Sequence, residues 1–397
     1  MNFNQYFDKM KEVYNILLNY IEKDNQEQED NQMISILESD NHEYLREILQ
    51  IVSKISENHH RNPAFYANIE KIILQLVPEI KDSFTNSEFF NLFKKDKRIL
   101  LFLFKNKILD IDKSIINHFY AKSSMKYSKF FSKEIELFTI GQIKSELKDN
   151  EQYEAMRCKG ENESFICQLI RDDSIDEFVI FVNQRNFPLN SIIEKSVFET
   201  NPFLLKVEKT TLIEYAAFFG SIQIFQYLRM NGAELSPSLW LYAIHSNNAE
   251  LIHILENCNV KPPNGTFNKC LSESIKCHHN NIANYIINTY IFEDKPHDEL
   301  DDFLDAFSLD NSKNTDFDKD VVINIIRYYN YEFFPVDSNQ YFIFHYLCKY
   351  NYINLVKLYL QNKKINVNFR IVFKKQCFIN RISKIKKNLC NCKQLIF

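Results

Sequence analysis

Cys270, Cys277, His278 and His279 bring four metal-ligating side chains into ten consecutive residues. Thiols and imidazoles favour zinc, and structural zinc sites take two close pairs, such as Cys-x2-Cys with His-x3-His. The spacing here is different: the cysteines are seven apart, and adjacent histidines on a helix point in different directions. Cys390 and Cys392 stand close together but lack a second pair. No metal site and no cofactor is therefore expected. The acidic run from Glu293 to Asp310 invites a calcium loop. Its best frame starts at Asp310, lacks the central glycine and ends at Val321 rather than Glu.

Acid–base and nucleophilic chemistry fare no better. His245, His253 and His345 stand alone on helical stretches and read as surface or packed residues rather than bases. No His-Glu-x-x-His occurs. Glycine has only five copies in 397 residues, and the patterns GxGxxG, GxxxxGK[ST] and GxSxG are all absent. Nothing assembles a nucleophile, a base and oxyanion donors in a recognisable order. The chain is expected not to be an enzyme.

The rest of the composition is that of a folded protein, 45% apolar and 25% charged, with a net charge of −4. The 35 phenylalanines and 21 tyrosines fit codon bias, with an aromatic binding surface as the alternative. The N-terminus lacks the apolar core of a signal peptide. The densest apolar run, Ile99 to Phe104, falls far short of the roughly 20 residues a membrane span needs. Nine scattered cysteines suit a reduced interior better than a disulfide framework. A soluble cytoplasmic protein is expected, with the nucleus also open to it.

What must be positioned, then, is a surface, and the elements that would do so repeat. Thr211 to Leu235 reads as two short helices joined by a tight turn. Ala216 and Ala217 sit on the first, Gly220 closes it, Ile224, Phe225, Tyr227 and Leu228 form the second, and Gly232 ends the unit. Shifted 27 residues, Tyr215 falls on Tyr242, Ala216 on Ala243, Phe225 on Ile252 and Leu228 on Leu255. Shifted 31 more, Leu251, Ile252, Ile254 and Leu255 fall on Ile282, Ala283, Tyr285 and Ile286. Asp172 to Val182 upstream and Asn351 to Leu360 downstream match the second helix again. Small residues on the first helix allow close approach, and the second carries a broad apolar face at helical period. A hairpin this short must bury that face against neighbours.

These residues resemble the ankyrin repeat. Thr211, Ala216, Ala217, Gly220, Ile224, Phe225, Tyr227, Leu228, Gly232 and Ala233 stand at its motif positions, while Leu212 and Glu214 replace the Pro and His of the T-P-L-H turn. The clear resemblance covers residues 164–368. The whole is similar to the divergent ankyrin-repeat proteins of anaerobic protists, in which a helical region precedes degenerate repeats. The implied fold is all-α, an α-solenoid of stacked helix-turn-helix repeats with a helical N-terminal region. The implied function is a non-catalytic scaffold or adaptor that binds an unidentified protein partner on the concave face. The resemblance points to Lys209, Thr210, Phe218 and Phe219 in the first unit, Pro237, His245 and Ser246 in the second, and Lys276 and Cys277 in the third. For Phe218 and Phe219, packing on the next unit is an equal alternative.

The expected division is a helical region over residues 1–158, a repeat array over 159–368 with an acidic insertion near 293–318, and a basic tail over 369–397. Asp96 to Leu109 has the look of a second helix and is suspected to be a worn repeat. Residues 338–397 hold 12 Lys or Arg and no acidic residue. The alternative function is binding of nucleic acid or anionic membrane through that tail, with the repeats as spacer. The tail also reads as a truncated or frame-shifted end.

Overall fold

Leu45, Ile48, Leu49, Val52 and Ile55, three and four residues apart, are all buried along one helix, Asn41–Asn58. This spacing recurs along the chain, and the fold is all-α. A computed structural model describes residues 3–23, 33, 41–121, 125–140, 151–291, 319–334 and 340–362. Among the described residues the only β pairing is an isolated antiparallel bridge between Ile192 and Thr211, and no helix is long and apolar enough to cross a membrane. The expected acidic insertion and basic tail lie outside the described residues.

The first helices are α1 (Phe3–Glu22), α2 (Asn41–Asn58), α3 (Phe65–Gln75), α4 (Val77–Ser83), α5 (Asn86–Phe93) and α6 (Lys97–Lys105). Next come α7 (Lys113–Tyr120), α8 (Met125–Phe130), α9 (Ser132–Ile140), α10 (Glu151–Lys159), α11 (Phe165–Arg171), α12 (Ile175–Gln184) and α13 (Pro202–Lys206). The hairpin region continues with α14 (Leu212–Phe219), α15 (Ile222–Met230), α16 (Leu239–Ser246), α17 (Ala249–Asn257), α18 (Asn268–Cys277) and α19 (Asn280–Ile286). The last are α20 (Lys319–Tyr328), α21 (Gln340–Tyr350) and α22 (Ile353–Asn362). The chain divides into two units, residues 16–291 and residues 1–15 with 292–397.

In the larger unit the hairpins are built alike. α14 packs against α11 on one side and α16 on the other, α16 packs against α18, and α12 lies along α15. Each first helix ends on a left-handed residue: Asp173 (φ 47°), Gly220 (φ 73°), Asn247 (φ 53°) and His278 (φ 60°). Each of the first three second helices ends the same way, at Asn186, Gly232 and Asn259. The next N–H then turns back to a carbonyl inside the helix, as in Ser221 N to Ala216 O and Ala233 N to Leu228 O, both 3.0 Å. This closure satisfies carbonyls that the helix end leaves open. Asparagine tolerates the left-handed region better than most residues, which is why Asn247 and Asn259 can stand where Gly220 and Gly232 do.

Glu214 has a structural role. Thr211 accepts a hydrogen bond from Glu214 N, and the Glu214 carboxylate accepts one in return from Thr211 N at 2.9 Å. The second carboxylate oxygen accepts from Ser238 Oγ at 2.6 Å, fastening the next hairpin. An identical box joins Thr85 and Glu88 at the start of α5. Asp96 caps α6, and α6 closes through the left-handed Lys107 with an Ile108 N to Leu103 O bond of 3.0 Å. The suspected worn repeat therefore shares the left-handed C-terminal closure of the later hairpins and, with α17, a side-chain N-cap.

α2 joins the N-terminal helices to the hairpins. It packs against α3, α4 and α5 on one side and against α13 and α18 on the other. Pro78 does not end the helix before it. Instead α3 ends at Gln75, and Pro78 lies in the first turn of α4, where a missing N–H costs nothing.

In the smaller unit, α20 packs on α21 and α21 on α22. Tyr329 stacks on Tyr352 with ring centroids 4.2 Å apart. Tyr352 Oη donates to Ile326 O at 2.8 Å, and Asn351 (φ 71°) closes α21 as Gly220 closes α14.

Candidate functional site

The polar groups with chemical potential gather where α2 meets the α18–α19 turn. His59 and His60 follow α2 directly. His279 follows the left-handed His278 that ends α18, so the turn aims its ring back across the hairpin. The His59 Nδ1–H donates to Cys277 O at 2.7 Å, and the His279 Nδ1–H donates to Ile244 O at 2.7 Å. The Nε2 atoms of both rings face neighbours within the cluster. His60 Nδ1 lies 3.3 Å from His279 Nε2, and Glu22 Oε1, at the end of α1, lies 3.1 Å from His59 Nε2. Burial and the neighbouring His59 lower the His60 pKa to about 4. Burial, then His59, push His278 and His279 well below the ordinary histidine range.

A second cluster adjoins the first. His245 Nε2 is 2.8 Å from Glu273 Oε1, and Glu273 also pairs with Lys276. Cys277 Sγ lies 3.4 Å from His245 Nδ1 and 3.6 Å from Nε2. Cysteine, histidine and glutamate in contact is the composition of a nucleophile, a base and an orienting acid. The geometry is otherwise. The sulfur is nearly equidistant from the two nitrogens and so lies on neither lone-pair axis. Cys277 is fully buried, and burial holds its thiol well above the ordinary range and hence protonated. Burial raises the Glu273 carboxyl, but Lys276 and His245 outweigh it and bring its pKa to about 2. A protonated thiol out of reach of solvent is a packed side chain.

Of the residues proposed to face a partner, the structure leaves Lys209 and Pro237 exposed and Phe219, Ser246 and Lys276 partly exposed. Thr210, Phe218, His245 and Cys277 are buried. The cover is the chain itself. Phe203 on α13 stacks on Phe218 at 5.8 Å and lies 4.1 Å from His245. Phe218 thus follows the packing alternative. Of the four residues first considered for zinc, Cys270 and His278 join neither cluster, Cys277 joins the second and His279 the first. His253 is exposed beside Glu256, and His345 is half-buried. Cys390 and Cys392 lie outside the described residues.

Sequence reasoning missed His59, His60 and Glu22. His60 and His279 are 219 residues apart, and no local spacing reports such a meeting. The adjacent pair His59-His60, next to a helix end, is the only signal available. Away from both clusters, a surface cavity of about 440 Å³ is lined by Leu137, Phe138, Lys105, Lys133 and Glu154 among others. Its lining contains no histidine or cysteine.

Comparison with models of known families, with curated proteins and with solved structures finds no match.

Proposed function

We infer that the chain is a non-catalytic protein-interaction module built as a solenoid of ankyrin-like hairpins. One observation carries this reading: consecutive hairpins close both of their helices with the same left-handed turn, at Asp173 and Asn186, Gly220 and Gly232, Asn247 and Asn259. Units that end alike stack alike, and each is braced by its neighbours. A partner docking on such an array meets little ordering cost on the array's side. The open part of the expected face is Lys209 and Pro237, with Phe219, Ser246 and Lys276 partly accessible. The partner reads this rim, while the chain's own α13 fills the trough beside it.

Cross-linking of the intact chain in its native extract, followed by mass spectrometry, tests the reading. Cross-links from a protein partner at Lys209 and Lys276, lost when Lys209→Glu and Pro237→Arg are combined, support it. Cross-links confined to lysines of residues 369–397 contradict it. That outcome belongs to the rival reading, a basic segment that binds nucleic acid or anionic membrane, which rests on the 12 Lys or Arg and no acidic residue in residues 338–397.

A further inference from the structure

We propose that His59, His60, His279 and Glu22 form a structural zinc site that ties the N-terminal helices to the hairpins. The ligating nitrogens of the three histidines all lie within 4.8 Å of one another. Around a tetrahedral zinc with bonds of about 2.0–2.1 Å, neighbouring ligand atoms stand about 3.3 Å apart. His60 Nδ1 and His279 Nε2 are already at 3.3 Å, and His59 Nε2 and Glu22 Oε1 are at 3.1 Å. Glu22 stands outside the set of three and meets it through His59, so its carboxylate must swing toward His60 and His279 to complete the tetrahedron.

Two further features point to a cation. Metal-binding histidines almost always donate their other ring N–H to a carbonyl or carboxylate, which fixes the ring and its tautomer. His59 and His279 do so, to Cys277 O and Ile244 O. The second ring nitrogen, His59 Nε2, faces the Glu22 carboxylate at 3.1 Å. His59 is 1% exposed, and its Nε2 is buried without a hydrogen-bond partner. A cation between the two satisfies both. Three imidazoles and a carboxylate are borderline N and O donors, a set that suits zinc and excludes calcium and magnesium, which take oxygen cages. Glu22 is about one-third exposed and His60 is partly exposed, so the ion has an entry. All ligands are protein side chains, as a structural site requires, with no position reserved for water.

The neighbouring His245–Glu273–Cys277 cluster is the competitor. Its carboxylate is held by Lys276 and its thiol is protonated, so binding there must first break an ion pair and release a proton. The two sites differ in one ligand type, sulfur, and this makes them distinguishable.

The test uses the full chain, stripped with a chelator and titrated with Co²⁺ and then Zn²⁺. The expected result is one tight equivalent, the intense visible bands of tetrahedral Co²⁺, no thiolate charge-transfer band, and a higher melting temperature with Zn²⁺. Glu22→Gln and His60→Gln, neither at a fully buried side chain, keep the helical circular dichroism signal. Each weakens binding by more than the roughly 10–100-fold that loss of an outer hydrogen-bond partner costs. Cys277→Ser leaves the stoichiometry unchanged. No tight equivalent in the full chain overturns the proposal. So does a charge-transfer band that disappears in Cys277→Ser, or affinity unchanged in both Glu22→Gln and His60→Gln.

Discussion

The ring of Phe203 lies 4.1 Å from the ring of His245, centroid to centroid. This contact closes over the position where an ankyrin-like array would present its second hairpin to a partner. Phe203 also stacks on Phe218 of the preceding hairpin at 5.8 Å, so one aromatic side chain from a five-residue helix seals two successive hairpins.

Replacing Phe203 with Ala should therefore loosen the array locally. The side chain is half-buried, so the loss is about 2 kcal/mol, below the 3–5 kcal/mol of a fully buried phenylalanine. Urea unfolding measures it. Hydrogen exchange should rise first in α13 and at the ends of α14 and α16.

Thr211→Ala removes the cap of α14 and should cost about 1 kcal/mol. Thr85→Ala, at the matching box on α5, should cost a similar amount. If the boxes are separate in space and share no partners, the double variant shows the sum. Equilibrium denaturation of the three variants decides this.

Gly220 and Gly160 are both left-handed, at φ 73° and φ 70°, but their surroundings differ. A Cβ at Gly220 meets nothing closer than 3.5 Å, whereas one at Gly160 would stand 2.9 Å from Thr200 Oγ1. That hydroxyl donates to Gly160 O and accepts from Arg61. Gly220→Ala should cost about 1–2 kcal/mol, the backbone term alone. Gly160→Ala should cost more, because the Arg61 contact is lost as well. Asn247→Gly, at a position equivalent to Gly220, should be neutral or slightly stabilising.

Asp96 is buried as the cap of α6, and burial, partly offset by Arg61, raises its pKa from 3.8 to about 6. A carboxyl with a raised folded-state pKa binds more protons in the folded state. Its contribution therefore worsens as pH rises from about 4 to about 6 and stays unfavourable above. Asp96→Asn keeps a capping oxygen and removes the charge. It should flatten the stability profile between pH 4 and 6 and raise stability at pH 7. Urea midpoints at pH 4, 6 and 7, compared between the two proteins, measure the difference.

The parts legible in the sequence are those governed by local rules. Gly220 and Gly232 mark two helix ends because glycine is the residue that enters the left-handed region freely. The spacing of Ile224, Phe225 and Leu228 marks the buried face of α15. Asn247, Asn259 and His278 perform the same closure but carry no glycine, so only their alignment with Gly220 and Gly232 reveals them. The Thr85–Glu88 box is written as plainly as Thr211–Glu214, yet it stands outside the region where the repeat is visible. The cover that α13 lays over Phe218 and His245 was not legible, because α13 is a five-residue insertion between units that no repeat pattern anticipates. The meeting of His59 and His60 with His279 depends on α2 packing against α18, a long-range event without a local signature.

The central claim is that a protein partner docks on the hairpin rim. A salt titration of partner binding, run on the full chain and on a chain ending at Asn368, tests it most directly. The account predicts that affinity changes little between low and high salt and that both chains bind equally. A steep loss with salt, together with loss of binding in the shortened chain, would contradict it.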